Sequence, residues 1–155
     1  MGGTVYLETT IPSYLAGRPS RDLVIAAHQQ ITHDWWRHAK EYFDLYVSEA
    51  VLEEIRAGDP ALASRRLEIV EGLPILELQQ DVRDLVRIYS ERLNFPPQAQ
   101  ADVLHIAFAV SYKLDYLVTW NCKHIANGHS IRRLLQINQE IQRLTPVILT
   151  PEELS

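Results

Sequence analysis

The stretch Thr4-Val5-Tyr6-Leu7-Glu8-Thr9-Thr10-Ile11-Pro12 turns from one backbone period to another within nine residues. Thr4 to Leu7 is a short run of β-branched and apolar side chains, which reads as a strand. Glu8 closes it, and Thr9 or Thr10 is the expected cap of a helix with Pro12 in its first turn. A strand feeding directly into a helix is the opening of a βα unit, and the rest of the chain repeats that alternation.

Outward from this unit, a helix is predicted from Leu23 to about Lys40, with Val24, Ala27, His28, Ile31 and Trp35 at helical spacing. Trp35 and Trp36 could stack on bases, but their place in a periodic segment favours packing. Phe43 to Val47 is a second strand, closed by Ser48, whose hydroxyl is positioned to cap a helix from Glu49 to Gly58. Asp59-Pro60 precede a helix over 61–71, stopped by Gly72, and Ile75 to Leu78 is a third strand. Helices over 81–93 and 98–112 flank the break Asn94-Phe95-Pro96-Pro97. The second is apolar nearly all round apart from Asp102 and His105, which marks a buried helix. Tyr116 to Trp120 is the fourth strand, and a polar turn holding His124 and His129 leads to a helix over 131–144. A last apolar run, Val147 to Leu149, meets Thr150-Pro151-Glu152-Glu153, a capping-box pattern for a brief final helix.

Short strands alternating with helices predict an α/β fold, a parallel sheet covered on both faces, in one domain over residues 1–155. In such sheets sites gather beyond the carboxyl ends of the strands. Glu8, Ser48 and Asn121 all fall at or just past such ends. The composition, 46% hydrophobic and 23% charged, is that of a globular protein. No run approaches a membrane span and the amino terminus has no signal-peptide layout, so the expected location is the cytoplasm. The single cysteine, Cys122, excludes an internal disulfide and a structural zinc spacing. A net charge of −5 runs against nucleic-acid binding, although carboxylates grouped about a metal lower the charge sum while the cation reverses the local sign.

Four residues carry the chemical signal. Asp102 shares a helical stripe with His105, Ile106 and Ala109, so its carboxylate is partly buried and needs a metal, a hydrogen bond or a salt bridge to arginine. Two adjacent glutamates follow Ser48. Glu54 lies beside the Val51, Leu52 and Ile55 arc, as a site acid or a boundary ion pair, while Glu53 points to solvent. Glu8 ends an apolar strand, where a charge is functional or firmly paired. Asn121 offers a neutral carbonyl oxygen at a strand end, as a ligand or as a turn residue. His105 is either a general base or a hydrogen-bonded core histidine. Oxygen donors of this kind suit magnesium or manganese and phosphodiester hydrolysis. No glycine-rich phosphate loop or nucleophile elbow competes with that reading.

The order of these pieces resembles the PIN-domain family, and within it the VapC-like toxins of toxin–antitoxin pairs. The resemblance rests on Val5-Tyr6-Leu7-Glu8-Thr9-Thr10, Ser48-Glu49-Ala50-Val51-Leu52-Glu53-Glu54-Ile55, Ala101-Asp102-Val103-Leu104-His105-Ile106-Ala107, Leu117-Val118-Thr119-Trp120-Asn121 and Thr150-Pro151-Glu152-Glu153-Leu154. It implies a PIN-like three-layer α/β/α fold with a short central parallel sheet and a Mg2+- or Mn2+-dependent endoribonuclease. By the same resemblance Glu8, Glu54, Asp102 and Asn121 take the catalytic positions, with Glu8, Asp102 and Asn121 toward the metal. Thr9, Thr119, His105 and Lys123 stand toward substrate or behind those acids. Implied partners are RNA as substrate, a small antitoxin protein and a second copy of the chain. Two positions depart from the family pattern: Glu8 is one methylene longer than the usual aspartate, and Asn121 lacks the usual last charge. The alternative reading is a PIN-fold module of weak or no activity that binds antitoxin or RNA.

Overall fold

The computed structural model describes residues 2–154. Among them, β1 (Thr4–Leu7), β2 (Asp44–Ser48), β3 (Ile75–Leu76), β4 (Tyr116–Val118) and β5 (Val147–Leu149) form one parallel sheet in the order β3-β2-β1-β4-β5. The chain therefore winds outward from β1 in one direction, then returns to the other side of β1 through β4. Helices α1 (Thr10–Ala16), α2 (Leu23–Tyr42), α3 (Glu49–Arg56), α4 (Pro60–Val70), α5 (Gln80–Arg92), α6 (Gln100–Ser111) and α7 (Gly128–Glu140) make the crossovers. This is the PIN-like three-layer α/β/α arrangement. No helix among the described residues is long and apolar enough to cross a membrane.

The strands are buried on both faces, as parallel strands are when helices cover each side. Val5, Tyr6 and Leu7 of β1 are fully buried, as are Val47 of β2 and Leu117 and Val118 of β4. α6 is the most enclosed helix: Val103 and every residue from His105 to Val110 are buried. Trp35 packs into the core, and Trp36 is half-buried against it beneath the Lys40 ammonium.

Local capping explains most helix starts. Ser48 Oγ accepts from Val51 N, Asp59 Oδ2 accepts from Leu62 N with Pro60 in the first turn, and Gly72 takes the left-handed φ of 84° beyond α4. α7 begins at Gly128 rather than Ile131, because Asn127 Oδ1 accepts from His129 N and Ser130 N. Three further expectations need correction. No threonine hydroxyl caps α1, since Thr9 Oγ1 is drawn to Glu54 and Thr10 Oγ1 to Glu8; the Glu8 carboxylate receives Thr10 N instead. β3 spans two residues and β4 three, shorter than their apolar runs. Glu153 does accept from Thr150 N, but Pro151–Glu153 close as a turn with no final helix.

Candidate active site

β1 and β4 are neighbours whose connections leave in opposite directions, so the crevice past their carboxyl ends is the topological switch point of the sheet. Glu8 follows β1 there, and Thr119-Trp120-Asn121 follow β4. The Glu8 side chain is only 4% exposed, and Oε1 accepts from Thr10 N at 3.0 Å, Thr10 Oγ1 at 2.5 Å and Thr119 Oγ1 at 2.7 Å. Three donors on one oxygen offset the cost of burying the charge. Thr119 also receives Asn121 N at 2.9 Å, while Thr10 Oγ1 receives Trp120 N at 2.9 Å, which ties the β1 and β4 ends together. Trp120 is fixed by stacking on His28 at 4.0 Å and by donating Nε1 to Thr32.

α3 and α6 bring the other acids. Glu54 Oε1 accepts from Thr9 Oγ1 at 2.8 Å and bonds His105 Nε2. His105 is fully buried, and its Nδ1 lies 2.6 Å from the Tyr6 hydroxyl, which lies 2.8 Å from Ser48 Oγ. This relay is satisfied in two proton arrangements. With neutral imidazole, Ser48 donates to Tyr6, Tyr6 to Nδ1, and Nε2–H to Glu54; with imidazolium, Nδ1–H donates to Tyr6 and Tyr6 to Ser48. Burial lowers the His105 pKa, but the Glu54 hydrogen bond and the charges of Glu8, Glu54 and Asp102 outweigh it and raise the pKa above 6.5. Glu54 shows the converse: burial pushes its pKa up, and the His105 and Thr9 bonds bring it below 4.5. Burial drives the Tyr6 pKa well above 10, so its hydroxyl stays protonated.

Asp102, in the first turn of α6, is paired through Oδ2 with His124 Nδ1 at 3.1 Å and not with an arginine. Asn121 Oδ1 accepts from His124 N at 3.0 Å, and its backbone carbonyl accepts from Ile125 N and Ala126 N, so Asn121 shapes the turn that presents His124 to Asp102. Lys123 is exposed in that turn, and His129 lies in the first turn of α7. The structure thus gathers Glu8, Glu54 and Asp102 about His105, with Thr9 and Thr119 bonded directly to two of those acids. Tyr6, Thr10 and His124 join them as residues that sequence reasoning left in the core, in a cap and in a turn.

The three acids share one pattern. Each is held through a single oxygen, and the second oxygen, Glu8 Oε2, Glu54 Oε2 or Asp102 Oδ1, has no partner among the described residues. Glu8 as a whole is nearly enclosed, while the Asp102 side chain keeps 15% exposure. No group of three or more histidine, cysteine or acidic side chains among the described residues is arranged to hold a metal ion. Magnesium, however, is commonly held by one or two carboxylates and keeps several waters, and carboxylate oxygens free of protein partners are the donor type it takes.

No protein-family model matches the chain, and no curated protein matches it by sequence. Among solved structures it is similar in fold to a chain of the crystal structure of VapBC2 from Rickettsia felis bound to a DNA fragment from its promoter. That match has a TM-score of 0.60 at 15% identity, and it covers 95% of this chain and 98% of the other. At that identity the likeness is one of fold.

Proposed function

We propose that this protein is a divalent-metal-dependent endoribonuclease of the VapC-like toxin kind. The observation that carries the reading is the set of three carboxylates, Glu8, Glu54 and Asp102, each anchored by one oxygen and free at the other, at the sheet's switch point. Glu8 and Asp102 would hold Mg2+ or Mn2+, with Asn121 Oδ1, which keeps a lone pair beyond its bond from His124 N, as the neutral third donor, and the cation when bound would supply water activation and neutralisation of phosphoryl charge. Glu54 stays ionised through His105 and Thr9, which leaves its free oxygen able to accept a proton from an attacking water. Thr119 and Thr10 hold the longer Glu8 side chain in place, which makes its extra methylene compatible with a defined carboxylate position.

The test is cleavage of a structured RNA with and without Mg2+ or Mn2+, using the intact protein and Asp102→Asn. Metal-dependent cleavage lost in the variant supports the reading; cleavage equal in EDTA and in Asp102→Asn defeats it. The same reading expects a cytoplasmic protein, a small antitoxin protein as partner and a homodimer, which co-purification with the product of a neighbouring reading frame and light scattering would measure. A second reading, a PIN-fold module that binds RNA or antitoxin without turnover, draws on the lack of a three-residue metal group among the described residues. RNA binding with no cleavage under any metal would select it.

A further inference from the structure

The substrate strand of the proposed nuclease needs somewhere to lie, in a chain whose net charge is −5. Between Asp115 and Glu140 the sequence contains no acid at all, yet it carries Lys123, His124, His129, Arg132 and Arg133. That segment begins at β4, passes the site turn at Asn121 and continues into α7. On α7, positions 129, 132, 133 and 136 share one face, opposite the buried Leu134, Ile137 and Asn138. Arg132 and Arg133 are exposed and have no carboxylate partner among the described residues.

This face forms one wall of a groove of about 520 Å³, lined by Phe95, His124, His129, Arg132, Arg133 and Gln136 among others. Phe95, presented by the loop after Asn94 at φ 58°, is half-buried, and its ring centroid lies 5.9 Å from that of His124. His124 is the link to the acids, because its Nδ1 lies 3.1 Å from Asp102 Oδ2. An aromatic face and two unpaired guanidinium groups in one groove, joined to a carboxylate centre by a shared residue, are the components of a single-stranded nucleic-acid subsite. A duplex hides its base faces, so Phe95 has nothing to stack on there.

We infer that this groove is the subsite for a nucleotide flanking the scissile phosphate of single-stranded RNA, with its base on Phe95 and its phosphate at His129, Arg132 and Arg133. The inference rests on the ribonuclease reading for its direction toward Asp102, while its binding chemistry is independent of turnover. The experiment uses the full chain in EDTA and follows a short fluorescein-labelled single-stranded RNA by anisotropy across a salt series. Arg132→Ala/Arg133→Ala is expected to weaken binding at least about tenfold and to flatten the log–log salt slope by about 0.7 per arginine. Phe95→Leu keeps apolar packing and removes the ring; it is expected to weaken binding about fivefold to tenfold with the salt slope unchanged, and to leave duplex RNA binding unaffected. Arg65→Ala/Arg83→Ala removes the same charge from other surfaces and is expected to change binding less than about twofold.

Equal losses in the two arginine pairs, together with intact binding by Phe95→Leu, overturn the subsite and leave diffuse charge as the cause. A cleavage assay in Mg2+ separates the two proposals. If the binding pattern holds but no RNA is cut, the subsite stands and the nuclease reading falls. If RNA is cut with KM unchanged in the groove variants, the nuclease stands and the subsite falls.

Discussion

Glu54 and Asp81 are both carboxylates held below their ordinary pKa, and the fold holds them by opposite means. Asp81, at the start of α5, takes a bidentate pair from Arg143 at 2.6 and 2.9 Å and a hydrogen bond from Ser111 at 2.7 Å. The Arg143 guanidinium and the Ser111 hydroxyl outweigh partial desolvation and bring its pKa to about 2. Both of its oxygens are used, and its partner never loses its charge. Glu54 is held by a buried histidine and a threonine on one oxygen only, and His105 can change its charge. A locked acid with both oxygens occupied ties surface elements together; an acid with one oxygen free and a titratable neighbour is equipped for chemistry.

The sharpest way to break this contrast is to neutralise an acid in each place. Asp102→Asn and Glu8→Gln are each expected to lower metal-dependent RNA cleavage by more than about a hundredfold, and Asp81→Asn to leave it within about twofold. Steady-state rates on one RNA decide it; comparable losses in all three variants would erase the distinction. Ser48→Ala comes next in size. It removes the cap of α3 and a buried partner of Tyr6 together, for an expected loss of about 2 kcal/mol in urea unfolding. Asp81→Asn is expected to cost about 1 kcal/mol, a value reduced for screening because its side chain is 42% exposed.

pH separates the two regions further. The Asp81 pKa is depressed in the folded state, so its contribution is present above pH 3.8 and disappears as pH falls toward about 2. The His105 pKa is raised, so its contribution is complete below pH 6.5 and is lost as pH rises through the higher folded value. Melting temperatures from pH 2 to 9 should show an acid limb that Asp81→Asn flattens. An NMR titration of the His105 ring should place its midpoint above 6.5, and a midpoint at or below that value would refute the charge-relay account. The smallest expected effect is at Glu53, exposed on α3 beside Glu54: Glu53→Ala should change unfolding by less than about 0.5 kcal/mol and leave cleavage unaltered.

Legibility from sequence followed distance along the chain. Ser48 as a cap, Pro60 and Gly72 as punctuation, and Glu54 beside the apolar arc of α3 with Glu53 turned away from it are decisions made within a few residues, and each reads directly. Thr9 misled because its cap role is overridden by a carboxylate 45 positions away. Tyr6 was invisible as a relay member, since in a strand it alternates like any core residue and only the fold brings Ser48 and His105 to its hydroxyl. Asp102 announced that it needed a partner but not which one; His124 reaches it through the turn that Asn121 shapes. Asp81 gave no sign of its bidentate lock, because Arg143 is 62 positions away.

The central position of β1 also sets an order of events during synthesis. Glu8 meets Thr119 across 111 positions, and Thr4 meets Asp115 across the same span. At ribosomal speeds the first strand waits on the order of ten seconds for its second neighbour to emerge. Until then β1 is an open sheet edge and the three acids have no common frame. A nascent chain stalled before β4 therefore carries the ingredients of the crevice without the crevice.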